Sequence, residues 1–148
     1  MSSKIVLPIV VGLCALLMAA PAMAADACTK LANARWVGYM EGPFGGSDGK
    51  VALSILHLDF PKVGKGRWHG MMASPKSNPH QGTLAPVACA PTQVNPSAST
   101  ARLTMADASI VVKVATDGKS LTINPRGFDP GDVAAHLQFM SGWAARVP

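Results

Sequence analysis

Acid–base side chains at alternate positions of one segment are the first candidates for chemistry in this chain. His57 and Asp59 are two residues apart, so in an extended strand their side chains lie on the same face. An imidazole beside a carboxylate can transfer a proton or orient a polar group of a ligand. We favour a solvent-exposed pair, with a buried structural pair and a functional pair as the alternatives.

A second candidate combines an imidazole with a thioether. His69 and Met71 share a face of a strand in the same way, and Met72 and His80 follow in the sequence. Imidazole and thioether ligands suit copper. Adjacent methionines more often fill a core or cover a surface, so we predict no metal site and no cofactor.

Signatures of the common enzyme classes do not occur in the sequence. It contains no Gly-x-Ser-x-Gly, no His-Glu-x-x-His and no phosphate-binding loop. Most of its eight acidic residues fall among turn-forming residues, whereas a glycosidase needs two carboxylates that face each other in a cleft. We therefore expect a protein that is not an enzyme.

The first 24 residues have the three parts of a secretory signal peptide. Lys4 gives a positive start, residues 5–17 are apolar, and Ala22-Met23-Ala24 is a small-x-small cleavage site. The apolar run is shorter than the roughly 20 residues that span a bilayer, so we expect cleavage rather than a membrane anchor. Cleavage would leave residues 25–148 as a single domain, without a stable membrane span, in the periplasm or outside a bacterial cell.

Two cysteines remain after that cleavage, because Cys14 belongs to the apolar run. Exported compartments are oxidising, and an even number of cysteines can pair there. We predict a disulfide between Cys28 and Cys89, which would tie a short N-terminal leader to the middle of the chain.

The pattern of charge argues against nucleic acid as a partner. Thirteen Lys and Arg residues outnumber eight Asp and Glu residues, and the densest basic stretch, residues 62–67, contains two glycines typical of a turn. The basic residues also lack the interleaved aromatic side chains on which bases stack.

The order of apolar and turn-forming residues predicts an all-β fold. Short segments rich in β-branched and aromatic residues are separated by Gly and Pro. The predicted strands cover residues 35–40, 51–60, 68–73, 82–90, 100–105, 109–115 and 120–124, and the predicted loops cover residues 41–50, 74–81 and 91–99. After a turn or helix start at Asp129-Pro130, residues 133–143 fit either an eighth strand, which we favour, or a C-terminal helix.

About eight short antiparallel strands in a meander predict a closed or nearly closed barrel, with a β-sandwich as the alternative. Asp117-Gly118 is the strongest hairpin signal and is typical of a two-residue turn. Within residues 51–60 the apolar positions change parity, so either both faces of the strand are covered or a bulge near Ile55 shifts the phase.

The start of the first strand resembles that of lipocalin-like and avidin-like barrels. Ala34-Arg35-Trp36 follows a short leader. In lipocalins Gly-x-Trp begins the first strand, and an arginine near the last strand covers that tryptophan. The resemblance assigns these two parts to Trp36 and Arg146. It extends to secreted bacterial inhibitors of metalloproteases that share the barrel.

An eight-stranded barrel can be filled by side chains or hold one small ligand. We expect an exported binding domain for a small apolar ligand or an envelope protein, with candidate ligand-binding residues at Trp36, His57, Asp59 and Trp68. The first alternative is a small inhibitor of an exported protease or glycan hydrolase. The second is a periplasmic metal-binding protein or enzyme that uses His57 with Asp59 or the histidine–methionine pair.

Overall fold

The computed structural model describes residues 27–43, 51–74, 77–81, 85–93, 97–105 and 108–148, and within these it describes only the backbone of residues 51–55, 71–74 and 77–81. The predicted signal peptide lies outside the described residues, as do parts of the three predicted loops. Among the described residues, no helix combines the length and the apolar character needed to cross a membrane.

Strands dominate the described part of the chain, in agreement with the predicted all-β class. Their bounds are β1 Ala34–Pro43, β2 Val51–Lys62, β3 Lys65–Ser74, β4 Ser77–Gln81, β5 Ala85–Ala90, β6 Thr100–Thr104, β7 Ser109–Val114, β8 Ser120–Ile123 and β9 Ser141–Val147. The strand β4 lies in the predicted loop 74–81, and β1 extends three residues into the predicted loop 41–50, so both loop predictions are wrong at those positions.

The sheet closes into an eight-stranded antiparallel barrel. The strand order is β2-β1-β9-β8-β7-β6-β5-β3-β4, and the additional pairing of β2 with β3 joins the two sides. The first half of β3 pairs with β5 and its second half with β4, so these two short strands occupy one position in the ring. The predicted barrel is confirmed, and the sandwich alternative is wrong.

Alternation along the strands fills the barrel with apolar side chains. In β2, for example, Leu56, Leu58 and Phe60 are buried, whereas His57 and Asp59 are exposed. The inward-facing buried side chains are those of Trp36, Met40, Leu56, Leu58, Phe60, Val87, Ala101, Leu103, Ile110, Val112, Val114, Leu121, Ile123 and Ala144. The described interior is therefore a packed core.

The alternative of a bulge near Ile55 is wrong. Pairing of β2 with β1 runs without a shift from Phe60 to Val51, and the only irregularity in the pairing of β2 with β3 lies between Asp59 and Lys62. This irregularity adjoins the hairpin turn at Val63-Gly64, where the basic stretch changes direction as predicted.

A short helix, residues 27–31, packs on the end of the barrel where β1 begins. Leu31 is fully buried in the same core as Trp36, and its carbonyl oxygen accepts a hydrogen bond from the Trp36 indole at 3.2 Å. The predicted disulfide is confirmed: Cys28 of the helix is bonded to Cys89 of β5, with Cα atoms 5.9 Å apart. The leader is thus held by both packing and a covalent bond.

The predicted final strand within residues 133–143 is present but begins later than expected, and the alternative of a C-terminal helix is wrong. Two 3₁₀ turns, Pro130–Asp132 and Ala135–Leu137, precede β9, which begins only at Ser141. Val133, Leu137 and Met140 are nevertheless buried. The apolar periodicity of residues 133–140 arises because an irregular connection lies against the core, and neither a strand nor an α-helix is present before Ser141.

The hairpin predicted at Asp117-Gly118 joins β7 to β8, but its turn is longer than two residues. Gly118 has a left-handed φ of 66° and donates to the Ala115 carbonyl, while Asp117 accepts from the Lys119 amide. Gly118 is the only residue of the pair that needs a positive φ.

Candidate functional site

The outward side of four adjacent strands carries the predicted histidine and carboxylate residues. We call the outward-facing side chains of β9, β1, β2 and β3 the outer face. They are Trp143, Ala145, Val147, Arg35, Val37, Tyr39, His57, Asp59, Arg67 and His69. The favoured solvent-exposed interpretation of His57 and Asp59 is in agreement with this position.

Two imidazoles lie side by side in the middle of the outer face. His57 of β2 and His69 of β3 are direct partners in the register, and their ring centroids are 5.9 Å apart with the planes at 88°. Val37 of β1 lies opposite His57 on the other side. Sequence alone does not bring the two histidines together, because the register of β2 against β3 depends on the length of their turn.

An apolar strip borders the imidazole pair. Tyr39 and Trp143 are register partners on β1 and β9, and their side chains are 42% and 45% exposed. Val37, the neighbouring outward residue of β1, is 38% exposed. Large apolar side chains that cluster on a surface mark interaction sites more often than isolated ones do.

A charged row borders the imidazole pair on the other side. Asp59 of β2 lies between Arg35 of β1 and Arg67 of β3 in the register. The row therefore has two guanidinium groups for one carboxylate. Guanidinium groups bind carboxylates and phosphates through paired hydrogen bonds, so the row favours an anionic group in a ligand.

A surface depression with a volume of about 580 Å³ lies between the charged row and the imidazole pair. It is lined by Arg35, Trp36, Val37, His57, Leu58, Asp59, Arg67, His69 and Val147. The hollow thus offers cationic, imidazole and apolar groups within one surface depression.

The side chains of the two candidate tryptophans do not belong to the outer face, although Trp36 is among the residues that line the hollow. Trp36 is fully buried and points into the barrel, where its indole N–H is bonded to Leu31. Trp68 also faces inward and packs against the core, and its buried indole Nε1 has no hydrogen-bond partner among the described residues. The structure therefore separates the predicted set into core tryptophans and an outward pair, His57 and Asp59.

The second predicted pair is only partly described. His69 is half-buried on the outer face, whereas the side chains of Met71, Met72 and His80 lie outside the described part of the structure. Within that part, no group of three or more His, Cys, Asp or Glu side chains is close enough to hold a metal ion.

A buried carboxylate, not predicted as a site, joins two connections on the outside of β6 and β7. Asp132 is 1% exposed; both of its oxygens accept from the Gln93 amide at 2.9 Å, and one lies 3.5 Å from the Arg102 guanidinium. A hollow of about 280 Å³ adjoins it, lined in part by Thr92, whose buried hydroxyl has no partner among the described residues. This arrangement attaches the β8–β9 connection to the barrel wall.

Comparison of the chain with models of protein families, with curated proteins and with solved structures finds no match.

Proposed function

We propose that this chain is an exported, non-enzymatic binding domain whose outer face takes up a segment of another exported or envelope protein. The observation that carries the proposal is the joint exposure of Tyr39 and Trp143 beside Arg35 and Arg67 on one continuous sheet surface. Tyrosine, tryptophan and arginine are the residues most enriched at protein interfaces and at their energetic hot spots.

The charges of the outer face indicate the chemistry of the partner. Two arginines against one aspartate leave the charged row with an excess of positive charge. A partner segment that carries a carboxylate next to an apolar or aromatic residue would complement both the row and the strip formed by Val37, Tyr39 and Trp143.

The packed interior is the reason for preferring a protein partner over a small apolar ligand. Within the described residues, inward-facing side chains of β1, β2, β3 and β5 to β9 fill the core. A ligand of the size that barrels enclose would need several of these side chains to move. A retained small ligand is the competing outcome that native mass spectrometry would detect.

The inhibitor alternative changes in one respect. Ala27 and Leu31 of the leader helix are fully buried, so this helix does not offer a free segment for insertion into a protease. An inhibitory contact would therefore use the outer face or a loop. Trp36 and Arg146 are register partners, and the Arg146 guanidinium donates to the Asn33 carbonyl at 3.4 Å. The likeness to lipocalin-like barrels stays a prediction.

Site-specific photocrosslinking in the cells that make the protein tests the proposal. A photoreactive phenylalanine analogue replaces Val37 on the outer face or, as a matched control, Thr104, an exposed residue of β6 on the opposite side of the barrel. We expect an ultraviolet-dependent protein adduct from position 37 and none from position 104. The same adduct from both positions, or from neither, would contradict the proposal.

A double variant links that adduct to the aromatic side chains. Tyr39→Ser with Trp143→Ser should abolish the adduct at position 37 while leaving the melting temperature within a few degrees of the parent, because both side chains are half-exposed. Native mass spectrometry of the exported protein supplies the competing outcome. If the exported protein retains a small molecule and forms no crosslinked adduct at position 37, an internal ligand is favoured instead.

A further inference from the structure

The pairing of His57 with His69 has a consequence that does not depend on any protein partner. The two residues face each other across adjacent antiparallel strands, and neither is deeply buried: His57 is exposed and His69 half-buried. Two imidazoles held by a rigid sheet need little ordering before they bind a common ion, because the backbone already fixes their positions.

The separation of the rings fits a shared metal ion. With metal–nitrogen bonds of about 2.0–2.1 Å, each ring centroid lies about 3.2 Å from the metal, so two rings that share an ion have centroids at most about 6.4 Å apart. The observed separation is 5.9 Å. Rotation about the side-chain bonds is then sufficient to direct one nitrogen from each ring at the same point.

We propose that His57 and His69 form a two-imidazole site for a divalent late first-row transition-metal ion such as Zn²⁺ or Cu²⁺. Imidazole is the ligand that these ions share, whereas Mg²⁺ and Ca²⁺ prefer oxygen donors. Among the described residues no third His, Cys, Asp or Glu side chain completes a site with this pair, so a bound ion would take its other ligands from water or from an incoming group. The site is open to the solvent and to an incoming carboxylate or imidazole.

The charged row modulates the affinity of this site. Asp59 attracts a cation bound at the imidazole pair, while Arg35 and Arg67 repel it. The excess of positive charge makes the site weaker than the same histidine pair would be on a neutral sheet. Replacing Arg67 should therefore tighten metal binding, and replacing Asp59 should loosen it.

Titration of the mature, untagged protein with zinc chloride at about pH 7.5, followed by the ring-nitrogen NMR signals of its histidines, tests the site. We expect the ring nitrogens of His57 and His69 to shift together along one binding curve, with magnesium chloride producing no shift. Independent curves for the two rings, or a shift of only one of them, would overturn the proposal.

Single variants distinguish a site shared by two imidazoles from binding of the ion to one imidazole alone. Substitution of a residue that only supports a metal ligand typically lowers metal affinity by about tenfold or more. Loss of a direct ligand in His57→Gln or His69→Gln should therefore weaken zinc binding by at least about tenfold. His136→Gln, which removes an imidazole from the β8–β9 connection, should leave the affinity within about twofold. Unchanged affinity in either outer-face variant would overturn the proposal. Circular dichroism confirms that each variant is folded.

The charge variants give a second, independent measurement. Arg67→Gln should tighten zinc binding by roughly twofold to fivefold, and Asp59→Asn should loosen it by a similar factor, with both effects reduced at high salt. The opposite order of affinities would show that zinc binds elsewhere. Because no partner protein takes part, failure of these titrations leaves the photocrosslinking result unaffected.

Discussion

Asn124 forms hydrogen bonds with both backbone polar groups of Val111. The Asn124 amide donates to the Val111 carbonyl at 2.8 Å, and the Asn124 side-chain carbonyl accepts from the Val111 amide at 3.0 Å. Its side-chain nitrogen donates to the carbonyls of Leu137 and Met140. A residue with a left-handed φ of 44° therefore ends β8 and ties both sides of the β8–β9 connection to β7.

Replacing Asn124 by alanine should destabilise the barrel by about 3 kcal/mol or more, since three buried backbone groups lose their partners. Chemical denaturation of the mature protein measures this change. Asn124→Gly, which tolerates the left-handed backbone but also lacks the side chain, is the matched control and separates strain from hydrogen bonding. A glycine variant as stable as the parent would show that the side-chain bonds contribute little.

Asp132 gives a prediction about electrostatics. Asp132→Ala should cost about 3 kcal/mol, because it leaves the Arg102 guanidinium and the Gln93 amide without their carboxylate. Adding Arg102→Met to this variant should recover part of the loss, since the half-buried cation that has lost its partner is removed as well. A double-mutant cycle by urea denaturation measures the coupling. Strictly additive effects would mean that the pair is not coupled.

Most of the barrel is predictable from the sequence because its strands bury one face. In β8, Leu121 and Ile123 face inward while Thr122 is exposed, and the alternation that marks these residues as a strand is the same alternation that packs the core. The connection between β8 and β9 is not predictable in this way. Its apolar residues reach the core from 3₁₀ turns, whose backbone has neither the period of a strand nor that of an α-helix.

The candidate site is less predictable than the fold. The spacing of His57 and Asp59 correctly indicates that they share a face, but contact with His69 depends on the register across a turn. The sequence does not predict the exposure of Tyr39 and Trp143 either, because aromatic residues in strands usually indicate a core. Trp36, with the same local composition, is fully buried.

Close approach of β1 and β9 gives a prediction about barrel closure. A side chain at Gly38 would collide with the backbone carbonyl of Trp143, which belongs to the facing strand. Gly38→Ala should therefore cost roughly 3 kcal/mol or more, because the two strands must separate. Gly118→Ala, in a turn where a methyl group meets nothing within 4 Å, should cost only about 1 kcal/mol through its left-handed backbone. Equal losses would contradict this account.

The tryptophans provide an optical test of the outer face. Trp143 is 45% exposed and Trp36 is fully buried, so iodide should quench mainly the fluorescence of Trp143. Trp143→Phe should lower the quenching constant and shift the emission to shorter wavelength, while changing the free energy of unfolding by less than about 0.5 kcal/mol. Trp36→Phe is the matched control and should raise the quenchable fraction. The reverse result would place Trp143 inside the barrel.

The disulfide should contribute more to stability than any single contact of the leader helix. It closes a loop with a sequence separation of 61, which in the chain-entropy account corresponds to about 4 kcal/mol. Replacing both Cys28 and Cys89 by serine should lower the free energy of unfolding by about this amount, and the burial of a hydroxyl at position 28 adds to the loss. Denaturation of the oxidised protein, the reduced protein and the double variant separates the two effects. A thiol assay of the mature, unreduced protein should detect no free cysteine. If the oxidised and reduced proteins differ by less than about 1 kcal/mol in their free energy of unfolding, packing of Leu31 alone retains the leader.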